Sequence, residues 1–180
     1  MTSVKLHDKT FDNYLSTDTI QQKVEELARV INKEYEGRRP LFISILNGSF
    51  MFASDLFKHL SIECEISFIK LASYRGTKSM GRIITAIGLE DDLFGRDVII
   101  LEDIVDTGRT LNEFLPKLHH QQPASLKIVA LLHKAEATEF PITVDHAGFV
   151  IPNKFVVGYG LDYDGLGRNL KEIYQLSEDG

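Results

Sequence analysis

The chain has 180 residues, 43% of them hydrophobic and 26% charged, with a formal net charge of −6. That length fits one domain, residues 1–180, with a sizeable core and leaves no room for a second full domain. The acidic balance excludes sequence-independent nucleic-acid binding, which relies on Lys and Arg neutralising phosphates, and no apolar run approaches the roughly 18–20 residues that cross a membrane.

The start, Met1-Thr2-Ser3-Val4-Lys5-Leu6-His7, reads as irregular and lacks a basic stretch leading into an apolar one. The lone cysteine, Cys64, can close no internal disulfide, so the cytoplasm is the expected compartment. Asp18 and Gln21 have capping-box spacing, and Ile20, Val24, Leu27 and Ile31 repeat with helical period until Gly37. Pro40 introduces an apolar strand over 41–46, followed by the turn Asn47-Gly48-Ser49 and a helix to about residue 60. Alternation in Ile62-Glu63-Cys64-Glu65-Ile66 indicates a strand carrying a packed, inert thiol. Further strands are expected at 65–71, 83–87, 126–132 and 155–159, and the polar, basic segment 74–82 reads as an exposed loop. Pro116 lies inside a helix and should bend or shorten it. Strands alternating with helices imply an α/β protein with a mainly parallel sheet flanked by helices.

The run Val98-Ile99-Ile100-Leu101-Glu102-Asp103-Ile104-Val105-Asp106-Thr107-Gly108-Arg109-Thr110-Leu111 carries the chemistry. Its β-branched residues favour a buried strand, so the acids from Glu102 onward should emerge at the strand's carboxyl end, where open α/β sheets bind ligands. Asp106 to Thr110 then turn into a helix whose Leu111, Phe114, Leu115 and Leu118 share one face. Free N–H groups at the helix start attract phosphate, Gly108 lets the backbone approach it, and the acids suit a divalent cation. The histidines show no ligand spacing with a supporting carboxylate, which argues against zinc.

Residues 101–111 resemble the phosphoribosyl pyrophosphate (PRPP) signature of type I phosphoribosyltransferases. Lys154-Phe155-Val156-Val157-Gly158-Tyr159-Gly160-Leu161-Asp162-Tyr163, followed by Arg168-Asn169-Leu170, resembles the purine-binding hood of their bacterial-type hypoxanthine-guanine branch. The resemblance implies the type I phosphoribosyltransferase fold, with a small hood built from N-terminal residues and about 150–180. It also implies purine salvage: transfer of the 5-phosphoribosyl group from PRPP to hypoxanthine or guanine, giving IMP or GMP and pyrophosphate, with Mg²⁺ as cofactor. A homo-oligomer, dimer or tetramer, is implied as well. Two alternatives stay open, a nucleotide-sensing regulator on the same fold and a transferase preferring xanthine or guanine.

Residue by residue, the resemblance makes Asp106 the general base or the partner of purine N7. Glu102 and Asp103 would meet the ribose hydroxyls directly or through Mg²⁺, and Thr107, Gly108, Arg109 and Thr110 would hold the 5'-phosphate. Asn47 and Gly48 match the pyrophosphate loop, although many relatives carry Lys at the position of Asn47. Arg168 would also meet pyrophosphate. Lys134 would donate to the exocyclic oxygen at C6, favouring 6-oxopurines over adenine. Phe155 would stack on the base, Val156 would offer backbone groups to its edge, and Asp162 would serve Mg²⁺ and the exocyclic edge. Ser73 and Tyr74 match a loop that closes over the site. Gly165 and Gly167 replace bulkier residues of some relatives.

Overall fold

The computed structural model describes residues 2–75 and 82–178 and, among these, all side chains except those at 72–75 and 82–86. Strands β1 (Ser3–Leu6) and β2 (Lys9–Leu15) precede helix α1 (Thr17–Glu34). There follow β3 (Leu41–Leu46), α2 (Phe50–Phe57), β4 (Glu65–Arg75), β5 (Arg82–Ile87), β6 (Asp97–Val105), α3 (Arg109–His120) and β7 (Ser125–His133). A short 3₁₀ turn (Ala135–Ala137), β8 (His146–Val150), β9 (Val156–Val157) and β10 (Ile173–Leu176) complete the order.

The larger sheet runs β5-β4-β3-β6-β7-β8, parallel from β4 to β8 with β5 added antiparallel at one edge. From β3 the chain steps outward to β4 on one side and then crosses back to β6 on the other, so the winding reverses between β3 and β6. A crevice opens at such a reversal, outside the carboxyl ends of the two strands.

Alternation along the strands separates two cores. Leu41, Ile43, Ile45, Val98, Ile100, Ile128 and Ala130 pack on the face covered by α3, with Leu111, Phe114 and Leu118. Phe42, Ile99, Leu101, Val129 and Leu131 pack on the other face, against Ile20, Val24, Leu27, Ala28 and Ile31 of α1 and Phe52, Ala53 and Leu56 of α2. The strands are apolar on both faces because helices cover both, the pattern expected of a parallel sheet.

A smaller antiparallel sheet, β1-β2-β10-β9, joins the two ends of the chain over a core of Phe11, Val157 and Tyr174. Its register sets Ser3 opposite Asp12, Leu176 opposite Phe11 and Tyr174 opposite Val157. The region read as irregular is therefore a hairpin.

Several boundaries differ from expectation for local reasons. Helix α1 starts two residues early, capped by Ser16, whose Oγ accepts from Thr19 N at 3.2 Å, so Asp18 and Gln21 do not form a capping box. Gln21 instead reaches out to Asp55 on α2 at 2.7 Å. Strand β4 begins only at Glu65, which leaves Cys64 outside it, packed against the core with its thiol pushed up by burial. The same strand runs on through Ser73 and Tyr74, whose backbones pair with Ile84 and Ile83; the rest of the expected closing loop, 76–81, lies outside the described residues. The strand expected at 155–159 shrinks to Val156–Val157, since Gly158, Tyr159 and Gly160 all take positive φ. Helix α3 continues through Pro116 to His120 rather than stopping. Strand β8 had no clear pattern in the sequence. Among the described residues no helix is long and apolar enough to cross a membrane.

Ser16→Ala removes the α1 cap without touching the crevice. It should cost about 1 kcal/mol in urea unfolding at an unchanged slope.

Candidate active site

The ladder between β3 and β6 ends at Ser44 opposite Leu101, while β6 continues against β7 as far as Val105 opposite His133. Glu102 and Asp103 therefore lie inside β6, on the stretch that has lost its β3 neighbour, and of the three acids only Asp106 stands beyond the strand. Alternation predicted that the two adjacent carboxyls would point apart. They act on each other instead, because the open side of β6 leaves room for them to come near. Burial and the neighbouring Asp103 carboxyl drive the Glu102 carboxyl well above the usual range. Burial pushes Asp103 to about 6 even though Ile104 N donates to its Oδ1 at 2.9 Å and Arg168 stands near.

The open side is filled by the loop after β3. The Leu46–Asn47 peptide is cis, and Asn47 is exposed. Gly48 lies flat against Asp103, so close that a Cβ there would overlap Oδ2. Beneath the loop two fully buried hydroxyls hold its end in place: Ser49 Oγ donates to Ile45 O at 2.5 Å and stands 2.7 Å from Ser44 Oγ. Gly160, from the segment after β9, packs onto the Gly48 carbonyl from the other side, again without space for a Cβ. Arg168 is anchored beside it: Nη1 donates to Gly160 O at 2.8 Å and Nη2 pairs with Asp162 Oδ1 at 2.7 Å. Gly165 N donates to Asp162 Oδ2 at 2.8 Å.

On the other side of the crevice, β6 leads into the turn of Asp106, Thr107 and Gly108. Gly108 has φ +81 and caps α3, and a Cβ on it would press on Ile142 Cδ1 at 2.8 Å. The exposed Arg109 and Thr110 open the helix, and Arg109 lies 5.4 Å from the centre of the Phe140 ring. This turn, Glu102 and Leu46 line a common cavity of about 300 Å³. At its rim Lys134, 6% exposed, donates from Nζ to Asp106 Oδ2 at 3.0 Å. The backbone of Lys134 is tied to β6 by its N–H to Val105 O at 2.9 Å, so cation and carboxylate come from adjacent strand ends.

The hood contributes Phe155, 46% exposed, with Tyr163 edge-on at 5.8 Å and Phe11 tilted at 6.2 Å. Its neighbour Val156 is on β9, the edge strand of the smaller sheet. Leu176 N donates to Phe155 O at 2.9 Å, so alternation turns the Val156 N–H and C=O away from β10, toward the open edge.

The structure thus brings Glu102, Asp103, Gly48 and Arg168 to one side of the crevice and Asp106, Thr107, Gly108 and Lys134 to the other. It does not gather all three carboxylates named as metal ligands, for Asp162 is taken up by Arg168 and Gly165. Among the described residues no group of three or more His, Cys, Asp and Glu is close enough to hold an ion. The Glu102–Asp103 pair alone still suits a hard divalent cation, a buried and a half-buried carboxylate side by side whose ionisation burial opposes and a cation would favour. Sequence reasoning missed the segment after Lys134: Thr138 Oγ1 donates to Asp106 O at 3.1 Å, and Glu139 N donates to Thr107 O at 3.0 Å. It also missed the packing of Gly160 on Gly48. Neither contact has a local pattern, since each joins irregular segments far apart in the chain.

Two expectations follow from the acid pair and its glycine. Both carboxyls titrate higher in the folded chain than unfolded, so their contribution is complete below about 4; the Asp103 part is lost as pH rises through about 6, and Glu102, also raised, is lost as pH rises through its own folded value. Without divalent cations, Glu102→Gln/Asp103→Asn should match the wild type in melting temperature near pH 4 and exceed it at pH 8. Gly48→Ala should cost roughly 1–3 kcal/mol in chemical denaturation, the range for overpacking.

Residues 10–164 match the model of the phosphoribosyl transferase domain. The chain is 44% identical over 174 residues to the hypoxanthine-guanine phosphoribosyltransferase of Lactococcus lactis, covering 96% of this chain and 94% of that protein. A crystal structure of hypoxanthine phosphoribosyltransferase from Staphylococcus aureus matches with a TM-score of 0.86 at 38% identity, over 93% of this chain and 92% of that one. A variant of the Trypanosoma cruzi hypoxanthine phosphoribosyltransferase, in a ternary complex with substrates, matches with a TM-score of 0.86 at 34% identity, over 93% and 95%. The parallel sheet with its crevice at the reversal, and matches that run nearly end to end, lead to one conclusion: the chain has the type I phosphoribosyltransferase fold and belongs to the phosphoribosyl transferase family, among the hypoxanthine-guanine phosphoribosyltransferases.

Proposed function

We propose that this purine-salvage phosphoribosyltransferase transfers the 5-phosphoribosyl group of PRPP to a 6-oxopurine, hypoxanthine or guanine, releasing pyrophosphate and IMP or GMP. The observation that carries the reading is the Lys134–Asp106 pair at 3.0 Å, a buried donor beside an acceptor that lines a cavity of about 300 Å³. A 6-oxopurine offers the complementary edge, an oxygen at C6 to accept from Lys134 and a ring nitrogen whose proton Asp106 takes. Adenine presents an amino group where Lys134 needs an acceptor, and so leaves a buried cation unpaired.

Around that pair the other residues divide the substrate. Backbone N–H groups at Thr107 to Thr110, with the two threonine hydroxyls, hold the 5'-phosphate at the start of α3. The purine lies against the Phe155 ring, and Val156 meets its edge through the N–H and C=O on the open side of β9. Asn47 and Gly48 offer backbone to the diphosphate, and Arg168 supplies the positive charge there; with Asn at position 47, that charge comes from the hood and not from the loop. Mg²⁺, bound through Glu102 and Asp103 and the substrate's own oxygens, would neutralise charge on the departing diphosphate. As the C1–O bond breaks and the purine nitrogen bonds to C1, the purine proton passes to Asp106 and the electron pair leaves with pyrophosphate. Segment 73–82, whose Ser73 and Tyr74 match the closing loop, would exclude water from the ribosyl cation. We propose a cytoplasmic homo-oligomer as the working form, dimer or tetramer.

Initial rates measured by ultraviolet absorbance, with PRPP and Mg²⁺, test the reading with hypoxanthine, guanine, xanthine and adenine in parallel. Hypoxanthine or guanine should turn over and adenine should not; turnover of xanthine alone would transfer the assignment to the xanthine-preferring class. Asp106→Asn should lower kcat about 10²- to 10⁴-fold, the usual contribution of a general base, with little change in the KM for PRPP.

A further inference from the structure

Between the purine side of the hood and Arg168 the backbone passes through Gly158, Tyr159 and Gly160, at φ +96, +49 and +99. Both glycines are held where no Cβ fits, Gly158 against the Glu172 carbonyl and Gly160 against the Gly48 carbonyl. Tyr159 has a full side chain in a backbone region that disfavours one, so something must compensate. Its ring is 1% exposed, and its hydroxyl donates to Asp55 Oδ2 at 2.6 Å. Asp55 belongs to α2, the helix that begins where the pyrophosphate loop ends. Gln21 Nε2 donates to the same oxygen at 2.7 Å, and Lys58 pairs with Oδ1 at 2.6 Å, so Asp55 is clamped from α1 and from its own helix. Burial raises the Asp55 carboxyl, but the hydrogen bonds from Lys58, Tyr159 and Gln21 outweigh it and hold the group below the usual range.

We propose that Tyr159 and Asp55 are a positioning pair that sets the distance between the hood and the pyrophosphate loop, so that the grip on diphosphate depends on a hydroxyl buried in the core. One end of the link fixes α2 and the loop that leads into it. The other fixes the turn whose next residue, Gly160, touches Gly48 O and accepts from Arg168 Nη1. The purine side is held separately, because Val156 and Val157 are paired with Gln175 and Tyr174 of β10. Losing the link therefore loosens Arg168 and Gly48 relative to each other and leaves the base-binding edge in place.

The inference rests on the transferase reading and is tested by calorimetric binding of PRPP and of pyrophosphate, each with Mg²⁺, alongside steady-state rates. Tyr159→Phe keeps the ring and removes the hydroxyl. Dissociation constants for PRPP and pyrophosphate should rise about tenfold, the change expected for one hydrogen bond to a charged acceptor, while the KM for hypoxanthine stays within about twofold. Asp55→Asn, which keeps an acceptor for Tyr159, should bind both ligands nearly as the wild type does, whereas Asp55→Leu should reproduce the tenfold loss. A lowered melting temperature with unchanged PRPP and pyrophosphate binding would mean that the pair only fills the core, and would overturn the proposal. If Tyr159→Phe does not fold, the two Asp55 variants decide by the same measurements. A wild type that binds both ligands but turns over no base would overturn the transferase reading, and the binding comparison would still decide this one.

Discussion

Everything in the crevice depends on how closely the Gly48 backbone can be approached. A carboxylate presses on it from β6 and a hood backbone presses on it from Gly160, and neither contact tolerates a Cβ. The two halves of the molecule, a parallel sheet and a hood, are brought together by main chain meeting main chain. The Arg168 side chain then needs only a short reach to meet Asp162 and the Gly160 carbonyl.

The acid pair shows a related economy. Burying two carboxylates side by side is unfavourable in the free protein, which holds protons on them longer than water would. A cation bound there would relieve both desolvation and repulsion at once. Lys134 and Asp106 show the opposite design, a donor and an acceptor that satisfy each other.

Sequence patterns reveal features set by neighbours along the chain. The apolar runs at β3, β6 and β7, the helical period of α1 and the Gly/Thr turn before α3 were legible because each rests on burial or on local turn geometry. The resemblance to a known signature then named Glu102, Asp103, Asp106, Lys134 and Arg168 as site residues, and the fold sets all five along one crevice. What was not legible depends on distant partners. β1 and β2 are short and mixed in polarity and pair with each other as a hairpin, and β10 joins β2 only by pairing across more than a hundred and fifty residues, as Leu176 does with Phe11. The meeting of Glu102 and Asp103 contradicts simple alternation because β3 falls away from β6 after Leu101, a fact of the sheet and not of the strand. Asp162 was paired with metal by analogy, and its engagement with Arg168 became visible only in three dimensions.

The join between β2 and β10 also carries a consequence for how the molecule is made. Strands β3 to β8 form contacts in the order in which they are synthesised, so the sheet and the turn at Gly108 can assemble while the chain is still emerging. The hood cannot, because Ile173 to Leu176 must find a strand completed some 160 residues earlier, against a large loop-closure entropy. Birth order therefore separates the two layers: the sheet and its Gly108 turn mature early, and the hood is sealed last, when the final strand arrives.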